Sequence, residues 1–215
     1  MIRGLTIQPA SLAVFLAFSF SVMAEETPST PTKQEGTAPA GMSAEQEKMM
    51  KAMEDAGKVT ENHMALDYLV GNWSTKTKWW QAPGTKPEET EGKTHFESIL
   101  GGRFVRETVD GTMMGKKFQG IGYLGYDNMK KKYITLWMDS MATGVFTLEG
   151  DSPDKGKTIK SSGEFLCPIT GKEKFIRSVM KKVGKNEVVY EHYEKDPGGK
   201  EFKALEVAYK RVTSG

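Results

Sequence analysis

Residues 117–137 read KFQGIGYLGYDNMKKKYITLW, and they contain G-x-G-x-x-G at positions 120–125, the glycine spacing of a dinucleotide-binding loop. That loop works only between a strand and a helix, because the helix N-terminus carries the pyrophosphate. Here the glycines alternate with apolar residues in a strand pattern. The following YDNMKKKY is turn chemistry leading into a second strand, YITLW. The stretch therefore reads as a β-hairpin and excludes a nicotinamide-binding fold. Gly120, Gly122 and Gly125 are expected to let the sheet bend and twist.

Working outward from this hairpin, the same alternation recurs. Strands are expected at 72–80, 94–100, 103–110, 116–126, 131–140, 144–150, 157–165, 173–182, 187–195 and 201–212. The segments YDNMKK, DSPDKG, CPITGK, KVGKN and EKDPGGK join them with turn residues, and none is long and periodic enough for a crossover helix. About ten antiparallel strands in sequence order predict an all-β, up-and-down barrel, with an open sandwich as the alternative. Asn72-Trp73-Ser74 is a formal glycosylation sequon, but it lies within the first strand.

The N-terminal part is built differently. Arg3 precedes an apolar run at 11–22, which is too short to span the ~30 Å of a bilayer and ends in Val22-Met23-Ala24. This pattern predicts a signal peptide over 1–24, a periplasmic or secreted protein, and no integral membrane segment after cleavage. Residues 25–42, rich in Pro, Thr and Glu, predict a disordered linker. Ser43 and Gln46 form a capping box that opens a Met-rich amphipathic helix over 43–57, closed by Gly57. Met49, Met50 and Met53 give that helix either a loosely docked surface role or a partner-binding one. The barrel domain is expected over 60–213.

Composition narrows the function. The formal net charge is +2, from 30 basic and 28 acidic residues, too balanced for a nucleic-acid partner. One cysteine, Cys167, excludes an intramolecular disulfide. His63, His95 and His192 are scattered, and no metal-ligand motif or G-x-S-x-G nucleophile elbow occurs, so no metal site is expected.

Two sets of residues carry a family resemblance. LVGNWS at 69–74, with Gly71-x-Trp73 entering the first strand, resembles the calycin superfamily of lipocalins, fatty-acid-binding proteins and nitrobindin-type barrels. The resemblance implies that Trp73 lies at the closed end, with Arg211 packed across it as a structural pair. SILGGRFV (98–105), the run 120–150 and PGGKEFKALEVAYKR (197–211) resemble the bacterial domain-of-unknown-function family 1579. That likeness implies a calycin-like barrel and brings no established activity with it.

Candidate site residues follow from strand parity. In strand 131–140, Trp137 and Asp139 are expected to face a cavity, the alternative being a core of Ile134, Leu136 and Met138. In strand 187–195, Val188, Tyr190 and His192 are expected to point inward. An inward His192 admits haem ligation, as in nitrobindin-type barrels, although a core histidine is the simpler reading and no cofactor is predicted. Arg177 alternates with Phe175 and Val179, which predicts an inward guanidinium paired with Asp139, with Glu206 or with an acidic ligand. Together these residues predict a monomeric or dimeric protein that binds a small, largely apolar or amphipathic molecule, with Arg177 or Asp139 fixing a polar end. An envelope interaction protein with a packed barrel is the alternative. An enzyme using Asp139, His192 and Arg177 is a further one, and no catalytic residue is assigned.

Overall fold

The computed structural model describes residues 43–167 and 170–213. The expected signal peptide (1–24) and linker (25–42) lie outside the described residues. Helix α1 spans Ala44–Gly57 and a single turn, α2, spans Glu61–Met64. Ten strands follow: β1 Gly71–Trp79, β2 Glu88–Ile99, β3 Phe104–Met113, β4 Lys116–Asp127, β5 Lys132–Asp139, β6 Phe146–Asp151, β7 Thr158–Leu166, β8 Glu173–Gly184, β9 Glu187–Lys195 and β10 Glu201–Arg211. Each pairs antiparallel with its sequence neighbour, and β1 pairs with β10 to close the barrel. GIGYLG lies wholly within β4.

Strand boundaries fall within three residues of the expected ones except in β2, which begins at Glu88 rather than at Thr94. Its first half, EETEG, is polar on both faces and reads as turn, yet it pairs in register with β1 from Trp79↔Glu88 to Thr75↔Gly92. The Ser43/Gln46 capping box of α1 is present, and the helix buries no residue. Contacts join it to the barrel at its C-terminal end. Asn128 Nδ2 donates to the carbonyls of Asp55, Ala56 and Lys58, and Arg103 Nε donates to Gly57 O at 2.8 Å.

One end of the barrel is capped by α2 and by the 3-10 turn Asp67–Leu69, whose Leu69 joins Leu66, Trp73, Phe96 and Val188 in the deepest part of the core. Trp73 Nε1 donates to Leu69 O at 2.6 Å, tying the cap to β1. The Arg211 guanidinium carbon lies 4.2 Å from the Trp73 ring centroid. Its Nη1 donates to Val70 O at 2.6 Å, and Nη2 donates to Tyr68 O. Gly71, at φ +129°, is required here: a Cβ would stand 2.6 Å from Arg211 Nη1. The Gly-x-Trp spacing thus leaves room for the guanidinium that holds the first and last strands together.

Arg211→Ala removes two charge-assisted hydrogen bonds and a cation–π contact. It is expected to lower unfolding stability by about 3 kcal/mol, read by urea denaturation followed through tryptophan fluorescence. A loss below about 1 kcal/mol would show that the clamp is incidental to closure.

Candidate functional site

The barrel encloses a cavity of about 380 Å³. Register fixes which residues line it. On β5 the inward set is Tyr133, Thr135, Trp137 and Asp139, and on β9 it is Val188, Tyr190, His192 and Glu194; Trp137, Asp139, Tyr190 and His192 thus face inward as expected. Leu66, Tyr133, Ile159 and Met180 form the floor next to the cap. Aromatic walls rise toward the opposite end, with Phe118 stacked on Trp137 (6.4 Å between centroids) and Phe146 edge-on to Phe165 (5.1 Å).

The glycines of β4 shape this space. A Cβ on Gly120 would lie 2.4 Å from the Trp137 ring, and one on Gly122 would lie 3.2 Å from both Trp137 Cε3 and Glu107 Oε2. These positions are bare because the indole of Trp137 lies flat across them. Trp137 Nε1 donates to Asp139 Oδ2 at 2.8 Å, which fixes the ring, and Asp139 also accepts from Met141 N at 2.9 Å. The bending role expected of the glycines is thus joined by a packing one.

Arg177 is not in the cavity, which corrects the inward placement. The inward residues of β8 are Ile176, Ser178 and Met180, whereas Phe175 is exposed. On the outer face Arg177 donates from Nε and Nη2 to both oxygens of Glu201, at 2.9 and 2.7 Å, and lies 3.9 Å over the Tyr193 ring. Its partner is therefore Glu201, not Asp139 or Glu206. An outward arginine needs no buried counter-ion and covers apolar surface with its stem.

His192 Nε2 bonds Glu194 Oε1 at 3.1 Å, and Lys174 also pairs with Glu194. Burial opposes the charge on Glu194, but the hydrogen bonds from His192 and Lys174 prevail and hold its pKa down at about 2. His192 Nε2 is thus engaged with a carboxylate, which orients the imidazole. Among the described residues no group of His, Cys, Asp and Glu is arranged to hold a metal ion.

The residue that sequence reasoning missed is Glu107, on β3. It is 5% exposed and lines the cavity, with Tyr209 Oη donating to its Oε1 at 3.1 Å. Burial pushes its pKa up to about 7, against a small opposing effect of the Tyr209 hydrogen bond. Nearby, Tyr190 is hydrogen-bonded to Ser178, and burial lifts its pKa to about 12. Thr94 Oγ1 is buried without a hydrogen-bond partner among the described residues. The signal was available: Glu107 falls between Val105 and Val109 in strict alternation, a carboxylate on an apolar face.

A closed ten-stranded antiparallel barrel, capped at one end and hollow inside, is a calycin-like architecture. The chain belongs to the family described as "Protein of unknown function (DUF1579)", whose profile matches residues 58–211. The fold resembles the crystal structure of Rv2717c from M. tuberculosis, with a TM-score of 0.52 and 18% identity over 73% of this chain and 100% of that one. The S-type phycobiliprotein lyase CPES from Guillardia theta gives a TM-score of 0.49 at 10% identity, over 74% and 97% of the two chains. No curated protein sequence matches the chain.

Between pH 4.5 and about 7 the folded protein keeps a proton on Glu107 that the unfolded chain has lost, so this group makes stability fall as pH rises through that window. Glu107→Gln should remove the fall. The variant is expected to be more stable than the parent above about pH 7, by on the order of 3 kcal/mol. The advantage should vanish below pH 4.5, where Glu107 is protonated in both states. Denaturation curves across this range that run parallel for the two proteins would contradict the assignment.

Proposed function

We propose that this protein is an exported binding protein that encloses a small, largely apolar molecule within the barrel. The observation that carries the reading is the cavity itself: about 380 Å³, walled by Trp79, Phe118, Trp137, Phe146 and Phe165, with the Trp137 ring laid against Gly120 and Gly122 and so out of the space. Ligand pockets of ~300–1,000 Å³ are commonly of this kind, mostly apolar with a few placed polar groups. Each 100 Å² of ligand apolar surface removed from water there contributes roughly 2.5 kcal/mol before the entropy of association is subtracted.

Binding rather than turnover is favoured by the way the candidate acid–base groups are engaged. Asp139 is held by Trp137 and Met141, and His192 by Glu194. The packed-barrel alternative is less well supported, since a solid core would leave no such space. The export part of the proposal rests on Arg3, the apolar run at 11–22 and the small residues before Glu25. No helix among the described residues is long and apolar enough to cross a membrane.

Native mass spectrometry of protein taken from its own envelope without refolding, compared with the denatured mass, tests both parts. The expected polypeptide mass starts at Glu25, with a reproducible extra mass present only under native conditions. Thr135→Phe, which places a ring in the cavity, should lose that extra mass and weaken N-phenyl-1-naphthylamine binding by at least about tenfold. A bare native mass together with no naphthylamine binding to the parent protein would sink the binding reading.

A further inference from the structure

The charges inside the cavity are unevenly compensated. Asp139 has two donors, and Glu194 has His192 and the Lys174 ammonium. Glu107 lies deeper, with the Tyr209 hydroxyl as its one hydrogen-bond partner among the described residues. Among the described residues no lysine or arginine lines the cavity, Arg177 being bound to Glu201 outside. Among the described residues an acidic ligand head would therefore meet four carboxylates, the exposed Glu91 and the inner Glu107, Asp139 and Glu194, and no free cation.

Two further observations converge on Glu107. Its Oε2 and the Trp137 ring flank the same bare position at Gly122, so an aromatic face lies beside the carboxylate. On β2, Phe96 is the register partner of Glu107. Thr94, one inward step along, carries a buried hydroxyl without a hydrogen-bond partner among the described residues, as do Tyr133 at the cavity floor and Tyr68. A carboxylate lacking a cation, an aromatic face and an idle hydroxyl together describe what a protonated amine requires.

We propose that the molecule held in the barrel carries a basic nitrogen on an apolar body, with its ammonium group seated against Glu107, flanked by Trp137 and donating to Thr94 Oγ1. This inference rests on the binding function above and names the ligand class for that site. Uptake of the cation requires Glu107 to be ionised, and burial has moved its pKa up to about 7, so affinity for an amine rises with pH through neutrality. The titratable groups facing Glu107 are Tyr209 from β10 and Tyr190 from β9, both raised by burial and protonated throughout that range. From β2, β4 and β5 it is faced by Thr94, Gly122 and Trp137, which do not titrate. Asp139, His192, Glu194 and Lys174 lie further toward the uncapped end.

Displacement of N-phenyl-1-naphthylamine from the mature protein by decylamine, 1-decanol and decanoate, which share one apolar body, tests this. Decylamine is expected to bind at least about tenfold more tightly than decanol at about pH 8, with decanoate weakest. The amine advantage should shrink at about pH 5.5, and Glu107→Gln should bring the amine-to-alcohol affinity ratio to about one. Decanoate binding as tightly as decylamine would overturn the amine class while leaving the binding function standing. So would an amine advantage that survives in Glu107→Gln. A bound reporter that decylamine does not displace would likewise overturn the amine class alone, whereas a parent protein that binds no reporter would take the binding function and this inference down together.

Discussion

The barrel closes along the β1–β10 ladder, and one guanidinium clamps the end of that seam. Arg211, the last residue of β10, covers Trp73 near the start of β1 and donates to the carbonyls of Tyr68 in the cap and Val70 just before that strand. Trp73 in turn holds the cap through Leu69 O. Three things that need not have coincided, strand closure, the plug at one end and burial of the largest core side chain, therefore depend on a single site. The residues around it follow from this requirement: Gly71 because no Cβ fits, Tyr209 because its ring meets Trp73 edge-on at 6.4 Å.

With closure and the cap secured at one end, the rest of the interior need not be filled for the fold to hold. Gly120 and Gly122 give up side chains so that Trp137 can lie against the wall instead of projecting across the middle. The hollow that results is mostly hydrocarbon and aromatic ring, which is why a single carboxyl group in it is so strongly perturbed. Glu107 opposes folding at neutral pH, and an unfavourable group of that kind is a common mark of a site shaped for something other than stability.

Much of the architecture was legible because a barrel strand with one wet and one dry face writes its orientation in alternate letters. The polar set Glu187, Glu191 and Lys195 fixed the inward face of β9, and with it Tyr190 and His192. Legibility failed where the two faces carry similar chemistry. On β8, Phe175, Arg177 and Val179 look as apolar as Ile176, Ser178 and Met180, and only the Glu201 partner across the outer face distinguishes them. The start of β2 was hidden because Glu88–Gly92 offers no large apolar side chain, its pairing with β1 being carried by backbone hydrogen bonds. Glu107 was overlooked for the opposite reason. Charged residues in strands usually face water, so its position between two valines was the informative exception.

The closing seam also orders events in time. Nine of the ten strand pairings join sequence neighbours and can form as local hairpins, but Ser74 and Lys210, register partners at the seam, are 136 positions apart. Joining ends that far apart costs roughly 4 kcal/mol of chain entropy beyond the constant for any loop, so the seam belongs late in folding. Until the ladder from Trp73↔Arg211 to Trp79↔Leu205 has formed, both β1 and β10 are open edges able to pair with another molecule. The last strand therefore decides whether the finished sheet recognises itself or a neighbour, and a chain clipped before Glu201 would carry two adhesive borders on an otherwise complete wall.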